Sequence, residues 1–141
     1  MAETFIHPAA VVEPGAQLGV GVHVGPFCHI GAETVIGDRV RMIGHVTIMG
    51  ATDIGADCRI FPNAVLGGDP QSVRHKGGRT TLSIGSNCLI REGVTFNTGT
   101  DSSTGATTIG ANGYFMAQSH VAHDCAVGNN VTMANGAVLG G

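Results

Sequence analysis

The sequence predicts an all-β chain wound as a parallel solenoid, and three observations carry that expectation. Aliphatic residues recur at every sixth position, a column of small residues follows each of them by four, and glycine makes up 23 of the 141 residues. A period of six is neither the 3.6 of a helix nor the 2 of a plain strand. It fits a short strand followed by a tight turn, with Gly, Asn and Asp accepting the unusual backbone angles.

The aliphatic column begins Ile6, Val12, Leu18, Val24, Ile30, Ile36, Met42, Ile48, Ile54, Ile60 and Leu66. After a gap it resumes in phase at Ile84, Ile90 and Phe96. After a second gap it continues, shifted by one, at Ile109, Phe115, Val121, Val127, Met133 and Leu139. The small column includes Ala10, Val22, Cys28, Thr34, Thr52, Cys58, Cys88, Val94, Thr100, Gly113, Ser119 and Cys125, and Gly often follows the aliphatic directly. One such unit cannot bury its apolar side alone, whereas stacked units can. Three units closing each coil give a triangular prism, with the large residues on its axis and the small ones where the walls converge. Coils about 4.8 Å apart make six to seven of them a rod of roughly 30 Å.

Residues 1–141 form one domain. With one Tyr and five Phe, the core must be built from small and β-branched residues. A net charge of -3 and 12% charged residues argue against a nucleic-acid groove. No apolar run approaches the roughly 18 residues of a membrane span, and the first ten residues lack the basic and apolar regions of an export signal. A cytoplasmic protein without membrane insertion is expected. The four cysteines all fall in the small column, where they serve as small hydrophobes, and no CxxC pair exists.

Two segments, about 67–83 and 97–108, leave the repeat as loop excursions. The first gathers Arg74, His75, Lys76 and Arg79 and is read as functional; the second is rich in Gly, Ser and Thr, and its composition does not choose between binding and a tolerated insertion. His120, His123 and Asp124 fall outside both interior columns. An imidazole is the natural general base for a hydroxyl proton, and an adjoining carboxylate fixes its tautomer.

The two columns resemble the hexapeptide-repeat acyltransferase superfamily, whose pattern is [LIV]-[GAED]-x-x-[STAVC]-x. The resemblance implies a left-handed parallel β-helix; the residues themselves give no handedness. That superfamily includes the γ-class carbonic anhydrases, which bind zinc through three His from two subunits. The His120-x-x-His123 spacing does not match that arrangement, so no metal is expected. The segment HVAHDCAVGNNVTMANGAVLGG, with HIGAETVIGDRV, IREGVTFNTGT and DPQSVRHKGG, is similar to the UDP-N-acetylglucosamine acyltransferases over essentially the whole chain. That family is a homotrimer transferring a 3-hydroxyacyl group from acyl carrier protein to the sugar 3-hydroxyl, the first step of lipid A synthesis, without a cofactor. The resemblance makes His123 the general base, Asp124 its acid partner and Gly141 the oxyanion donor. It places Gln71, Arg74, Asn97 and His120 on the substrate side. Ser72 and Gly78 stand where Asp and Glu are common, and Asn97 where many members carry His, which leaves a 3-amino sugar open as acceptor. Another acyl- or acetyltransferase of the superfamily, or an inactive scaffold, remains an alternative. The family continues for several coils and a helical region past the position of Gly141, so residues 1–141 alone are expected to have little activity.

Overall fold

The computed structural model of the protein describes residues 3–141, which contain twenty strands and no helix. The strands stack in three sheets of seven, seven and six, each strand hydrogen-bonded in parallel to the one three further along the chain. The coils wind as a left-handed parallel β-helix of triangular section. Each of the twenty aliphatic positions lies in a strand, and from Val24 to Val121 all of them are buried. A fully buried side chain of this size, such as Ile60 or Leu66, contributes roughly 1.5–3 kcal/mol.

The axis is not uniform. Phe96 and Phe115 on successive coils meet edge to face, with ring centroids 5.0 Å apart. The small-column residue beside them is Gly113, where a Cβ would sit 2.8 Å from Phe115 Cζ. A larger axial residue is thus accommodated by a missing side chain at the neighbouring corner.

The gaps in the repeat are insertions of defined size. Ile84 pairs with Ile54, thirty residues back instead of eighteen, so the first insertion is twelve residues, two full periods. Ile109 pairs with Ile84, twenty-five residues back, so the second is seven, one period plus one. This is why the phase survives the first gap and slips by one at the second.

Three expectations are corrected. The excursions are shorter than expected, because the strands Val65–Gly68 and Thr81–Ile84, and later Thr95–Asn97 and Ala106–Ile109, take up their ends. The loops are 69–80 and 98–105. The small column after each loop resumes with Leu82 and Thr107, both buried; Thr100, counted in it from its spacing, belongs to the second loop. Finally, the Gly directly after an aliphatic is, Gly67 apart, not there for its backbone angles. At Gly55, whose φ is ordinary, a Cβ would lie 2.5 Å from the Ser86 backbone N of the next coil, so close stacking demands the glycine. The left-handed angles fall mostly two residues later, on the residue before a small-column member such as Cys28, Cys58, Cys88 or Cys125. Among the described residues ten non-glycines adopt them, including Asp57, Asn63, Asn87, Asn112, Asp124 and Asn130.

Candidate active site

Both loops leave the prism at the same edge, the corner between the second and third sheets, on successive coils. The same corner one coil further is the turn between the strands His120–Val121 and Ala126–Val127, and it carries His123 and Asp124. One coil on again, after Val138–Leu139, comes Gly141, eighteen residues past His123. The helix thus stacks loop, loop, imidazole and glycine along one edge.

Asp124 occupies the left-handed corner position, with φ of 64°. Neighbouring side chains diverge on a strand, but this turn brings His123 and Asp124 together, with Nδ1 2.8 Å from Oδ2. The carboxylate has four further donors, all from the second loop. Thr100 gives its N–H to Oδ1 (2.9 Å) and its hydroxyl to Oδ2 (2.6 Å). Thr104 donates its hydroxyl (3.0 Å) and Gly105 its N–H (3.2 Å) to Oδ1. The Asp124 N–H in turn donates to Thr107 Oγ1 (2.9 Å).

Burial would push the Asp124 carboxyl pKa up. The hydrogen bonds from Thr100, His123 and Thr104 outweigh it and hold the group well below the usual carboxylate range. An ionised carboxylate only accepts, so His123 Nδ1 donates to it, and in the neutral ring Nε2 is the nitrogen that keeps its lone pair. The side chains of His123 and Asp124 are 21% and 8% exposed, which leaves the imidazole reachable and the carboxylate sealed beneath it.

The imidazole opens into a cleft of about 400 Å³ whose lining includes Ser72 and Arg74 of the first loop, Ser103 of the second, and Gly141. Gly141 packs against the ring, and a Cβ there would lie 2.5 Å from His123 Nε2. A larger cleft of about 460 Å³ lies beside the Arg79–Glu33 ion pair and is lined by Gln17, Asp53 and Ser83. It has no imidazole and no ordered acid–base pair, so the smaller cleft is the candidate site.

In sequence, a 62% identical relative from Mesorhizobium japonicum matches over 123 residues, 87% of this chain and 44% of its own length. One from Bartonella henselae is 58% identical over 134 residues, 95% of this chain and 49% of its own. Both are named acyl-[acyl-carrier-protein]–UDP-N-acetylglucosamine O-acyltransferase. A crystal structure of a UDP-N-acetylglucosamine acyltransferase superposes with a TM-score of 0.94 at 40% identity, covering 95% of this chain and 52% of that one. The chain matches the N-terminal half of the UDP-N-acetylglucosamine acyltransferases. It spans about half the length of these curated relatives, and no family model matches it.

Of the residues to which the acyltransferase resemblance gives roles, four meet at the cleft: His123, Asp124, Gly141 and Arg74. Three do not line it. Gln71 is exposed on the first loop. His120 stands on its strand with Nδ1 2.7 Å from Thr95 Oγ1 and 3.1 Å from the Thr95 carbonyl oxygen. Asn97 is 6% exposed, beside Gly68 where the first loop departs, and its Oδ1 has no partner. Thr100, Thr104 and Gly105, which hold the acid, were not among the residues given a role; Thr100 closes the IREGVTFNTGT segment, and the other two were traceable only through the Gly- and Thr-rich composition of the second loop. Among the described residues, no group of three or more His, Cys, Asp or Glu is placed to hold a metal ion. No helix there is long and apolar enough to cross a membrane.

Proposed function

We propose that the protein transfers a 3-hydroxyacyl group from acyl carrier protein to the 3-hydroxyl of UDP-N-acetylglucosamine, the opening step of lipid A synthesis. The observation that carries the reading is the His123–Asp124 pair, its acid saturated with donors and its imidazole facing a cleft that also holds an arginine. Nε2 of His123 takes the hydroxyl proton as the sugar oxygen attacks the thioester carbonyl carbon. Asp124 stabilises the imidazolium that results. The tetrahedral oxyanion takes a hydrogen bond from the Gly141 N–H. Collapse breaks the carbon–sulfur bond, and the imidazolium returns its proton to the departing thiolate. An ester and a free thiol result, with no metal or cofactor consumed.

Arg74 meets the pyrophosphate of the nucleotide sugar across the cleft, while Gln71, Asn97 and His120 contact substrate from outside this lining. They do so in a cytoplasmic homotrimer, where a neighbouring subunit closes the site; a thin prism has little core of its own and gains from such packing. The relatives' names and the site's chemistry support the same donor and acceptor.

The test is a turnover assay on the protein at its full natural length, with UDP-N-acetylglucosamine and 3-hydroxyacyl carrier-protein thioesters. Acetyl-coenzyme A and 3-amino sugar nucleotides run in parallel. Ester formation that disappears in His123→Ala is expected. Turnover that survives this substitution, or appears only with acetyl-coenzyme A, would falsify the proposal.

A further inference from the structure

The first loop bears Arg74 into the cleft, yet it has no strand partner and little apolar surface; Val73 is 98% exposed. Its end is tied by the Arg79–Glu33 ion pair and the Thr80–Thr98 hydrogen bond, and its middle, next to Arg74, by a carboxylate on the second loop. Asp101 accepts the Lys76 N–H with both oxygens (3.0 and 3.1 Å) and the Gly78 N–H with Oδ2 (2.8 Å). Its own N–H donates to His75 Nδ1 at 3.3 Å. Thr100, the preceding residue, donates to Asp124. Two consecutive residues therefore tie one loop to the base's acid partner and to the other loop.

We propose that Asp101 is a positioning residue for the acceptor, fastening the 69–80 loop so that Arg74 stands over the cleft that His123 faces. The inference rests on the reading above that this cleft takes a nucleotide sugar. Gly78 belongs to the same device. A Cβ there would fall 2.8 Å from Asp101 Oδ2 and 2.9 Å from Asp101 Cβ, so the clasp closes only because position 78 carries no side chain. The donors are backbone N–H groups, so the contact fixes the chain path on either side of Gly77, where φ is 86°. The same N–H groups hold the Asp101 carboxyl below the usual carboxylate range.

Asp101 touches neither His123 nor Asp124, so its removal acts on binding and leaves the chemical step alone. In the full-length protein, Asp101→Ala and Gly78→Ala should each raise KM for UDP-N-acetylglucosamine about tenfold while kcat stays within about threefold. Hydrogen–deuterium exchange at the Lys76 and Gly78 amides should accelerate at least about tenfold in Asp101→Ala. Unchanged protection at these amides overturns the proposal, as does lost protection with an unchanged KM, or a fall in kcat at constant KM. Failure of the unsubstituted protein to turn over UDP-N-acetylglucosamine sinks the acyltransferase reading instead, and amide exchange still decides whether Asp101 holds the loop.

Discussion

The two loops leave the same edge of the prism on adjacent coils and have opposite duties. The first, 69–80, is basic and exposed, and offers side chains to the cleft while depending on Asp101 to stay there. The second, 98–105, carries no cation. It points Thr100, Thr104 and Gly105 inward at Asp124 and lends its next residue to its neighbour. Cations mark the loop that lends Arg74 to the cleft, and neutral donors mark the loop that holds Asp124. Composition alone favours the first, because cations are conspicuous and hydroxyls are not.

The division is broken most severely at Asp124. Asp124→Ala removes the tautomer lock and strands the donors of the second loop, so kcat should fall at least about 100-fold and stability by roughly 2–4 kcal/mol. Steady-state rates and denaturant titration would show it, and a loss confined to KM would place Asp124 with the first loop's residues. Thr100→Val keeps the shape and deletes the shortest hydrogen bond to the acid. It should cost about 1.5–3 kcal/mol and roughly tenfold in kcat.

Acid sharpens the contrast further. The folded pKa of Asp124 lies below its ordinary 3.8, so its stabilisation is complete above that value and is lost as pH falls through the lower folded value. Thr100→Val weakens the depression and should move the acid-unfolding midpoint to higher pH; Arg74→Ala should leave it in place. Arg74→Ala is the mildest test. We expect a KM rise of about tenfold with melting unchanged, and a melting shift as large as that of Thr100→Val would mean the first loop also carries the frame.

Much of this was legible in the sequence because it obeys the period. The eighteen residues from His123 to Gly141 are one coil, so their meeting follows from counting, and Val121 and Cys125 set the corner that His123 and Asp124 share. What escaped was whatever leaves the period. Thr100 falls on the small column by arithmetic and in the structure binds a carboxylate, because an insertion of seven residues had displaced the column to Thr107. Asp101 and Gly78 lie twenty-three residues apart in two loops, and no spacing rule connects them. Gly55 was legible as a glycine, but its reason, the backbone of the coil above, is visible only once the coils are stacked.

The strict pairing of Ile54, Ile84 and Ile109 across both insertions gives the chain two unequal responses to gained or lost residues. Between Gly68 and Thr81, and between Asn97 and Ala106, insertions of two unrelated lengths, twelve and seven residues, leave every later strand on its partner. Between His123 and Gly141 the loss of one residue would turn each following side chain from the inside to the outside and would part His123 from Gly141. The coil register therefore survives insertion at the two loops, whereas the turn that carries His123 and Asp124 keeps its place over Gly141 only if its length is unchanged.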